Sequence, residues 1–160
     1  HNYQKIKLIQ HILKGKNLEH VLIFCSTIKN TKEIARSLKK IGFSASDIHS
    51  DLNQNEREQL LLDFKNKKVK ILVATDILSR GIDIKGIELV INFEVPNDAE
   101  DYVHRIGRTA RADRTGEAIT FINNEQFHKF DEIEKLIEKE IVKIPAPKKL
   151  GPSPVYKLKK

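Results

Sequence analysis

The stretch Val21–Thr27, VLIFCST, is apolar for five residues and then changes to two hydroxyl side chains. A strand with one face in water alternates apolar and polar residues, whereas a run without alternation is typical of a strand buried on both faces. Similar runs, rich in β-branched residues, occur at Ile71–Thr75, Leu89–Phe93 and Ala118–Ile122. The segment 44–49, SASDIH, is a weaker candidate. We therefore predict a mainly parallel sheet covered by helices.

Helical patterns separate these strands, each marked by apolar residues three or four positions apart and by a polar start or a glycine stop. They comprise Ile6, Ile9, Ile12 and Leu13 before Gly15; Ile34, Ala35, Leu38 and Ile41 before Gly42; Leu60, Leu61 and Phe64 after the capping pair Asn53 and Glu56; and Phe127, Phe130, Ile133, Leu136 and Ile137 after Asn123 or Asn124. We expect the apolar side chains of the last helix in the core. Alternating strands and helices predict an α/β fold with three layers, α/β/α, and a doubly wound sheet.

Composition narrows the class of protein. The chain has 160 residues, which suits one domain with its own core. Lys and Arg outnumber Asp and Glu 29 to 22, for a formal net charge of +7, which favours either a polyanionic partner or a solvated basic surface. The single cysteine, Cys25, excludes a disulfide framework and a cysteine zinc site. No apolar run approaches the roughly 20 residues that span a bilayer. We expect a cytoplasmic protein without a membrane partner.

The composition changes near residue 143, where acidic residues disappear and prolines and lysines accumulate. The end of the chain, PAPKKLGPSPVYKLKK, shows neither helical nor strand periodicity. We place a domain at residues 1–143 and a basic Pro/Lys-rich tail at 144–160. This tail is either a flexible extension or an RNA-binding arm.

Chemistry-bearing residues follow the predicted strands, where ligands of α/β sheets gather. The Thr27 hydroxyl suits a phosphate or the cap of the next helix. In the segment 76–86, DILSRGIDIKG, Gly81 permits close approach of the backbone to a ligand, Arg80 suits a phosphate and Asp83 suits a sugar hydroxyl. The alternative is a surface ion pair between Arg80 and Asp83.

A basic segment, YVHRIGRTAR, occupies Tyr102–Arg111. As a helix it places His104, Arg108 and Arg111 on one face, because each residue turns about 100°. Arg105 lies off that face. Guanidinium groups keep their protons and are costly to bury unpaired, so this face is either solvated or directed at phosphate.

Five segments in chain order resemble motifs of the DEAD-box RNA helicases. VLIFCST is similar to motif IV, HSDLNQNEREQLLLDFK to motif IVa, ILVATDILSRGIDI to motif V, VINFEVP to the strand after it, and YVHRIGRTAR to motif VI. Together they cover most of Val21–Ile122. The resemblance implies the second RecA-like domain of an ATPase whose two domains close on ATP and single-stranded RNA. His104 favours this family over DEAH-type relatives, whose motif usually begins with glutamine.

The resemblance also implies individual roles. For ATP, it assigns catalysis to His104, Arg108 and Arg111, nucleotide binding to Gly81, Asp83, Arg108 and Arg111, and coupling to the first domain to His104 and Arg105. Arg111 would be the arginine finger, and Asp83 would hold the ribose. The sequence departs from the motif at Ala110 and Asp113, where glycine is common, which leaves the placement of the finger open.

For RNA, the residues matched to sugar–phosphate contacts are Thr27, Gln54, Arg57, Thr75 and Arg80. The sequence contains neither a G-x-x-x-x-G-K-[ST] loop nor a D-E-A-D segment. The phosphate cradle and the ligands of Mg²⁺ are therefore expected from an N-terminal RecA-like domain of the same polypeptide, and no metal ligand is assigned to this chain. Ser50 stands where the family often has glycine, which weakens the RNA contact assigned there.

Two other functions stay open on the sequence. A stand-alone RNA-binding or interaction module would keep the fold without ATP chemistry, although Asp83, Arg108 and Arg111 favour the ATPase. A DNA translocase of the same superfamily is disfavoured by the histidine at position 104. We expect the isolated domain to be a monomer that binds single-stranded or duplex RNA.

Overall fold

The computed structural model describes residues 2–75, 86–97, 99–106 and 116–150, and of residues 2, 99 and 104–106 it describes the backbone. The strands are β1 (Val21–Cys25), β2 (Ala45–Ile48), β3 (Ile71–Thr75), β4 (Leu89–Asn92) and β5 (Glu117–Thr120). The helices are α1 (Asn2–Leu13), α2 (Ile28–Lys40), α3 (Gln54–Lys65), α4 (Ala99–Ile106) and α5 (Phe127–Ile137). Short 3₁₀ turns occupy Asn124–Gln126 and Lys148–Leu150.

The five strands form one parallel sheet in the order β2-β3-β1-β4-β5. Val21 in the central strand lies opposite Ile71 on one side and Leu89 on the other. The chain leaves β1 toward one edge of the sheet and later leaves β4 toward the other. This doubly wound parallel arrangement confirms the predicted α/β fold.

Side chains of β1 show why an apolar run without alternation was required. Ile23 and Cys25 point into a core cluster that α1 and α2 cover, whereas Leu22 and Phe24 point into a second cluster that Phe64 of α3 closes. All five residues of β1 are buried. Helices on opposite faces therefore bury both faces of the central strand, as in a three-layer sandwich.

The predicted helix boundaries have the expected capping chemistry. The Asn53 side chain accepts a hydrogen bond from the Glu56 N–H at 2.8 Å, and the Glu56 carboxylate accepts from the Asn53 N–H at 3.4 Å, which makes a capping box at the start of α3. Gly42 ends α2 with φ +98°, a conformation that residues with a Cβ rarely adopt. These two signals are confirmed.

Two core predictions were wrong. The run Ala118–Ile122 is not buried on both faces, because Ala118 of β5 is exposed. The second error concerns α5. Leu136 of α5 is 66% exposed, while Glu134 of the same helix is buried. The Glu134 carboxylate accepts hydrogen bonds from the Ile141 N–H at 2.7 Å and from the Lys143 amine. These partners stabilise a charged group inside, so the buried face of α5 is rotated toward Glu134. Phe130 and Ile133 on that face pack against Tyr102 of α4.

The segment after residue 143 contacts the domain within its described part. Lys148–Leu150 form a 3₁₀ turn after Pro147, although the sequence has no period there. The Leu150 carbonyl accepts a hydrogen bond from the Gln4 side-chain amide at 3.3 Å. The boundary at residue 143 stays a prediction, and residues 151–160 lie outside the described part. Among the described helices, none combines the length and apolar character needed to cross a membrane.

Candidate functional site

The carboxyl edge of the sheet is where the predicted RNA residues meet. Because all five strands are parallel, their carboxyl ends lie along the same edge. Thr27 follows β1, Gln54 and Arg57 lie in the first turn of α3 after β2, and Thr75 ends β3. The structure thus gathers four of the five predicted RNA-contacting residues; the fifth, Arg80, lies outside the described residues.

Thr27 lies exposed in the loop after β1 and caps α2. Its hydroxyl oxygen accepts a hydrogen bond from the Asn30 N–H at 3.1 Å. The capping interpretation is therefore confirmed for Thr27. A hydroxyl that accepts at a helix start still carries its proton, so capping is compatible with donation to a phosphate oxygen.

Arg57 braces the loop between β2 and α3. Its Nε donates to the Leu52 carbonyl at 3.1 Å, and one terminal nitrogen donates to the Ser50 carbonyl at 3.4 Å. Gln54, the exposed first residue of α3, donates its amide to Glu58 at 3.1 Å. Arg57 thus shapes this loop, and a direct contact of Arg57 or Gln54 with RNA stays a prediction.

Thr75 lies at the end of β3 and is 5% exposed. Its register partner on β1 is Cys25, whose sulfur lies 2.7 Å from the Thr31 hydroxyl. The Thr75 hydroxyl itself has no hydrogen-bond partner within the described part of the chain. Buried hydroxyls are nearly always paired. Thr75 is therefore an exception at the predicted site.

A polar clamp joins the loops after β1 and β4, and the sequence did not indicate it. The Glu94 carboxylate accepts hydrogen bonds from both the N–H, at 3.3 Å, and the hydroxyl of Ser26. Glu94 follows the apolar strand directly, which was the available signal, but the neighbour relation of β1 and β4 was needed to use it. The clamp fixes the residue next to Thr27.

Lys5 of α1 reaches the same place. Its Nζ donates to the Phe93 carbonyl at 2.7 Å and lies 4.7 Å from the centre of the Phe93 ring. Burial lowers the pKa of the Lys5 amine below its usual range, and the nearby Glu94 carboxylate opposes that shift. This contact anchors α1 to the carboxyl edge, at the loop after β4.

The predicted nucleotide residues are described only in part. Gly81, Asp83, Arg108 and Arg111 lie outside the described residues. His104 and Arg105 belong to α4, of which the structure describes the backbone at these positions. Their assignment to ATP and to domain coupling therefore stays a prediction. Within the described ranges, no three His, Cys, Asp or Glu side chains are grouped so that they could hold a metal ion.

Comparison with known proteins defines the class. Residues 4–113 match the family described as the helicase conserved C-terminal domain. The chain is 43% identical over 141 residues to a probable ATP-dependent RNA helicase, MJ0669, of Methanocaldococcus jannaschii, covering 88% of this chain and 38% of that protein. It is 42% identical over 134 residues to the ATP-dependent RNA helicase DbpA of Escherichia coli, covering 84% of this chain and 29% of that protein.

Solved structures agree with this class. The E. coli DEAD-box protein SrmB, bound to regulator of ribonuclease activity A, is 30% identical with a TM-score of 0.89, covering 99% of this chain and 93% of that one. S. cerevisiae Dbp5 bound to RNA and ADP BeF3 is 33% identical with a TM-score of 0.78, covering 84% of this chain and 36% of that one.

This chain belongs to the helicase C-terminal domain family. More narrowly, it is the C-terminal RecA-like domain of a DEAD-box RNA helicase. It spans 38% and 29% of the two curated relatives named above.

Proposed function

We propose that this chain is the second of two RecA-like domains in an RNA-dependent ATPase that remodels RNA. The observation that carries the proposal is the carboxyl edge of the sheet, where Thr27, the start of α3 with Arg57, and Thr75 lie at the ends of three adjacent strands. The relatives named as ATP-dependent RNA helicases, and the Dbp5 structure bound to RNA, support it. The N-terminal RecA-like domain would supply the phosphate-binding loop.

RNA would lie along this edge and contact Thr27, Gln54, Arg57, Thr75 and Arg80. Hydroxyl and guanidinium donors suit phosphate oxygens, and such contacts position a strand without reading its sequence. The α3 N-terminus follows the carboxyl end of β2, and helix N-termini favour phosphate. Binding should be tolerant of sequence and should weaken with salt, because phosphate contacts release counterions.

ATP would lie between this domain and the first. Asp83 would hold the ribose beside Gly81, and Arg108 with Arg111 would stabilise the negative charge that spreads over the transferring phosphoryl oxygens. Arg111 suits this task because a planar guanidinium stays charged and matches phosphate geometry better than lysine. Mg²⁺, when bound with ATP, would neutralise phosphate charge through ligands of the first domain. His104 and Arg105 would couple that domain to this one.

The test compares this chain with the complete protein that contains it. We expect negligible ATP hydrolysis by the chain alone. The complete protein should hydrolyse ATP, and RNA should stimulate this hydrolysis whereas DNA of the same sequence should not. Absence of any RNA-stimulated hydrolysis in the complete protein would favour a binding module, and equal stimulation by DNA would favour a translocase. Sedimentation of the isolated chain should show a monomer. We place the protein in the cytoplasm, where its single thiol would stay reduced.

A further inference from the structure

Two buried polar atoms lack a hydrogen-bond partner among the described residues: Nδ1 of His49 and Oγ1 of Thr75. The two residues are 3% and 5% exposed. A buried donor or acceptor that stays unpaired loses its water without compensation, so such atoms are rare and require an explanation. Thr75 belongs to the proposed RNA edge, whereas neither the sequence motifs nor the proposed function give His49 a role.

His49 and Thr75 lie at the carboxyl ends of two neighbouring strands. Strands β2 and β3 are paired in parallel, and their last aligned residues are Ile48 and Ala74. His49 and Thr75 are therefore at the next position of two neighbouring strands, which run about 4.8 Å apart. The residues four positions earlier show the orientation, because Ala45 and Ile71 contribute to the same core cluster under α2. Since side chains alternate, His49 and Thr75 face α2 together.

The polar groups around His49 and Thr75 make hydrogen bonds elsewhere. The Nε2 atom of His49 lies 3.0 Å from a carboxylate oxygen of Asp47. A carboxylate only accepts, so Nε2 carries a proton, and in a ring with one proton Nδ1 is then the acceptor. On the other side of Thr75, the Cys25 sulfur lies against the Thr31 hydroxyl. The Thr75 hydroxyl has a proton to donate, and His49 Nδ1 is the unpaired acceptor beside it.

We propose that His49 is a positioning residue for RNA binding: its Nδ1 accepts the Thr75 hydroxyl when RNA closes on the carboxyl edge. This bond would fix the end of β3 in the RNA-bound arrangement. Asp47 takes part by holding the imidazole in the required tautomer. The inference rests on the proposed function, since it assumes that the end of β3 meets RNA. Because the Thr75 proton would lie in the bond to His49, the Thr75 oxygen would contact RNA as an acceptor, from a ribose 2′-hydroxyl.

A matched pair of substitutions separates the two nitrogens of the ring. In His49→Asn the side-chain amide reaches the position of Nδ1 and loses the contact with Asp47. In His49→Gln the amide reaches the position of Nε2, keeps the contact with Asp47 and leaves Thr75 unpaired. Thr75→Val removes the hydroxyl at nearly constant shape, and Thr75→Ser retains it.

The experiment measures ATP turnover of the complete protein against the concentration of single-stranded RNA, together with the thermal midpoint of each variant. We expect His49→Gln and Thr75→Val to raise the RNA concentration for half-maximal turnover about fivefold, the effect of one hydrogen bond. His49→Asn and Thr75→Ser should change it less than about twofold. Turnover at saturating RNA should be retained in both His49 variants, and the double variant His49→Gln/Thr75→Val should need no more RNA for half-maximal turnover than either single variant.

The outcomes distinguish the inference from the proposed function. If Thr75→Val raises the RNA requirement while the Asn and Gln variants of His49 behave alike, His49 does not position Thr75. If the effects of His49→Gln and Thr75→Val multiply, the two residues act separately and the inference is also overturned. If the unsubstituted protein shows no RNA-stimulated turnover, the proposed function itself fails.

Discussion

The amino and carboxyl edges of the sheet are formed by the same five strands but differ in the hydrogen bonding of their polar groups. At the amino edge, the N–H groups of Lys70 and Ile71 both donate to the Ser44 carbonyl, at 3.1 and 2.9 Å. The Glu88 carboxylate there accepts from the N–H groups of Glu19 and His20, at 2.9 and 3.2 Å. At the carboxyl edge, two buried polar atoms have no partner among the described residues.

The difference indicates a division of labour. Both edges contain paired groups that hold their loops together, but among the described residues the two buried unpaired atoms lie at the carboxyl edge, where we infer that RNA binding pairs them. Sites where local chemistry is left unsatisfied are commonly functional ones. Changes at the amino edge should therefore alter stability more than RNA response, and changes at the carboxyl edge should do the opposite. Of the four substitutions that follow, Glu88→Ala and Ser26→Ala test this contrast directly.

Arg111→Ala in the complete protein has the largest expected effect. Removal of an arginine finger lowers turnover by on the order of 10³ to 10⁵ in other nucleotide hydrolases, because developing phosphoryl charge loses its partner. We expect a loss in this range in steady-state ATP turnover, with RNA affinity and thermal midpoint nearly unchanged. An unaltered turnover would show that Arg111 is not the finger.

Glu88→Ala tests the amino edge. The substitution removes the acceptor of two backbone N–H groups and should lower the free energy of unfolding by about 1 to 2 kcal/mol in urea titrations. Glu117→Ala is the control, since the Glu117 side chain is exposed on the same edge. RNA-stimulated turnover should be the same in both variants. A selective loss of RNA response in Glu88→Ala would contradict the division between the edges.

Ser26→Ala tests the clamp at the carboxyl edge. It removes the hydroxyl that donates to Glu94 and leaves the backbone donor at 3.3 Å in place. We expect the RNA concentration for half-maximal turnover to rise about two- to threefold, less than the loss of a complete hydrogen bond to a charged group. Ser37→Ala on α2 is the matched control. Equal RNA responses in the two variants would leave the clamp without a role in RNA binding.

Lys5→Met tests the anchor of α1 and has the smallest expected effect. Because burial lowers the pKa of Lys5 in the folded state, the unfolded state binds more protons between that pKa and about 10.5. Lys5 therefore makes the free energy of unfolding rise with pH in this window, whereas below it the cost of burying the charge is constant. The difference from Lys5→Met should show this slope. Its absence would mean that the amine is solvated when folded.

Comparison with the Met variant is needed because Tyr102 also titrates at alkaline pH and changes the free energy of unfolding in the opposite direction. Burial raises the pKa of its hydroxyl, an effect that a hydrogen bond with Thr120 opposes. The folded state then holds the proton longer, so this contribution to stability is present below about pH 10 and is lost above it. The unsubstituted protein and the Lys5→Met variant both retain Tyr102, and its contribution therefore cancels in the difference between their free energies of unfolding.

The sequence predicted those strands and helix starts that depend on one local pattern of residues. Uninterrupted apolar runs predicted β1 and β3, because only a strand covered on both faces requires them. The capping pair of Asn53 and Glu56 predicted the start of α3 for the same local reason. Leu136 was misplaced because the burial of Glu134 depends on Ile141 and Lys143, which fold back onto the helix after it ends.

The site was readable to the extent that its residues follow strands. Thr27 and Thr75 were predicted because hydroxyls directly follow or end apolar runs, and the sheet order then brings them to one edge. The clamp between Ser26 and Glu94, and the position of His49 beside Thr75, depend on which strands are neighbours. A single sequence does not specify that order, since contacts between residues far apart in the chain decide it.

The hydrogen bond between Gln4 and Leu150 has a mechanical consequence. Tension applied between these two residues would load the contact of α1 with the last 3₁₀ turn before it reached the sheet. Helix α1 and the segment that contains the 3₁₀ turn Lys148–Leu150 would detach one after the other at low force. The parallel strands would stay intact. Pulling experiments with handles at these positions should record a small early extension followed by a separate, stronger rupture of the sheet.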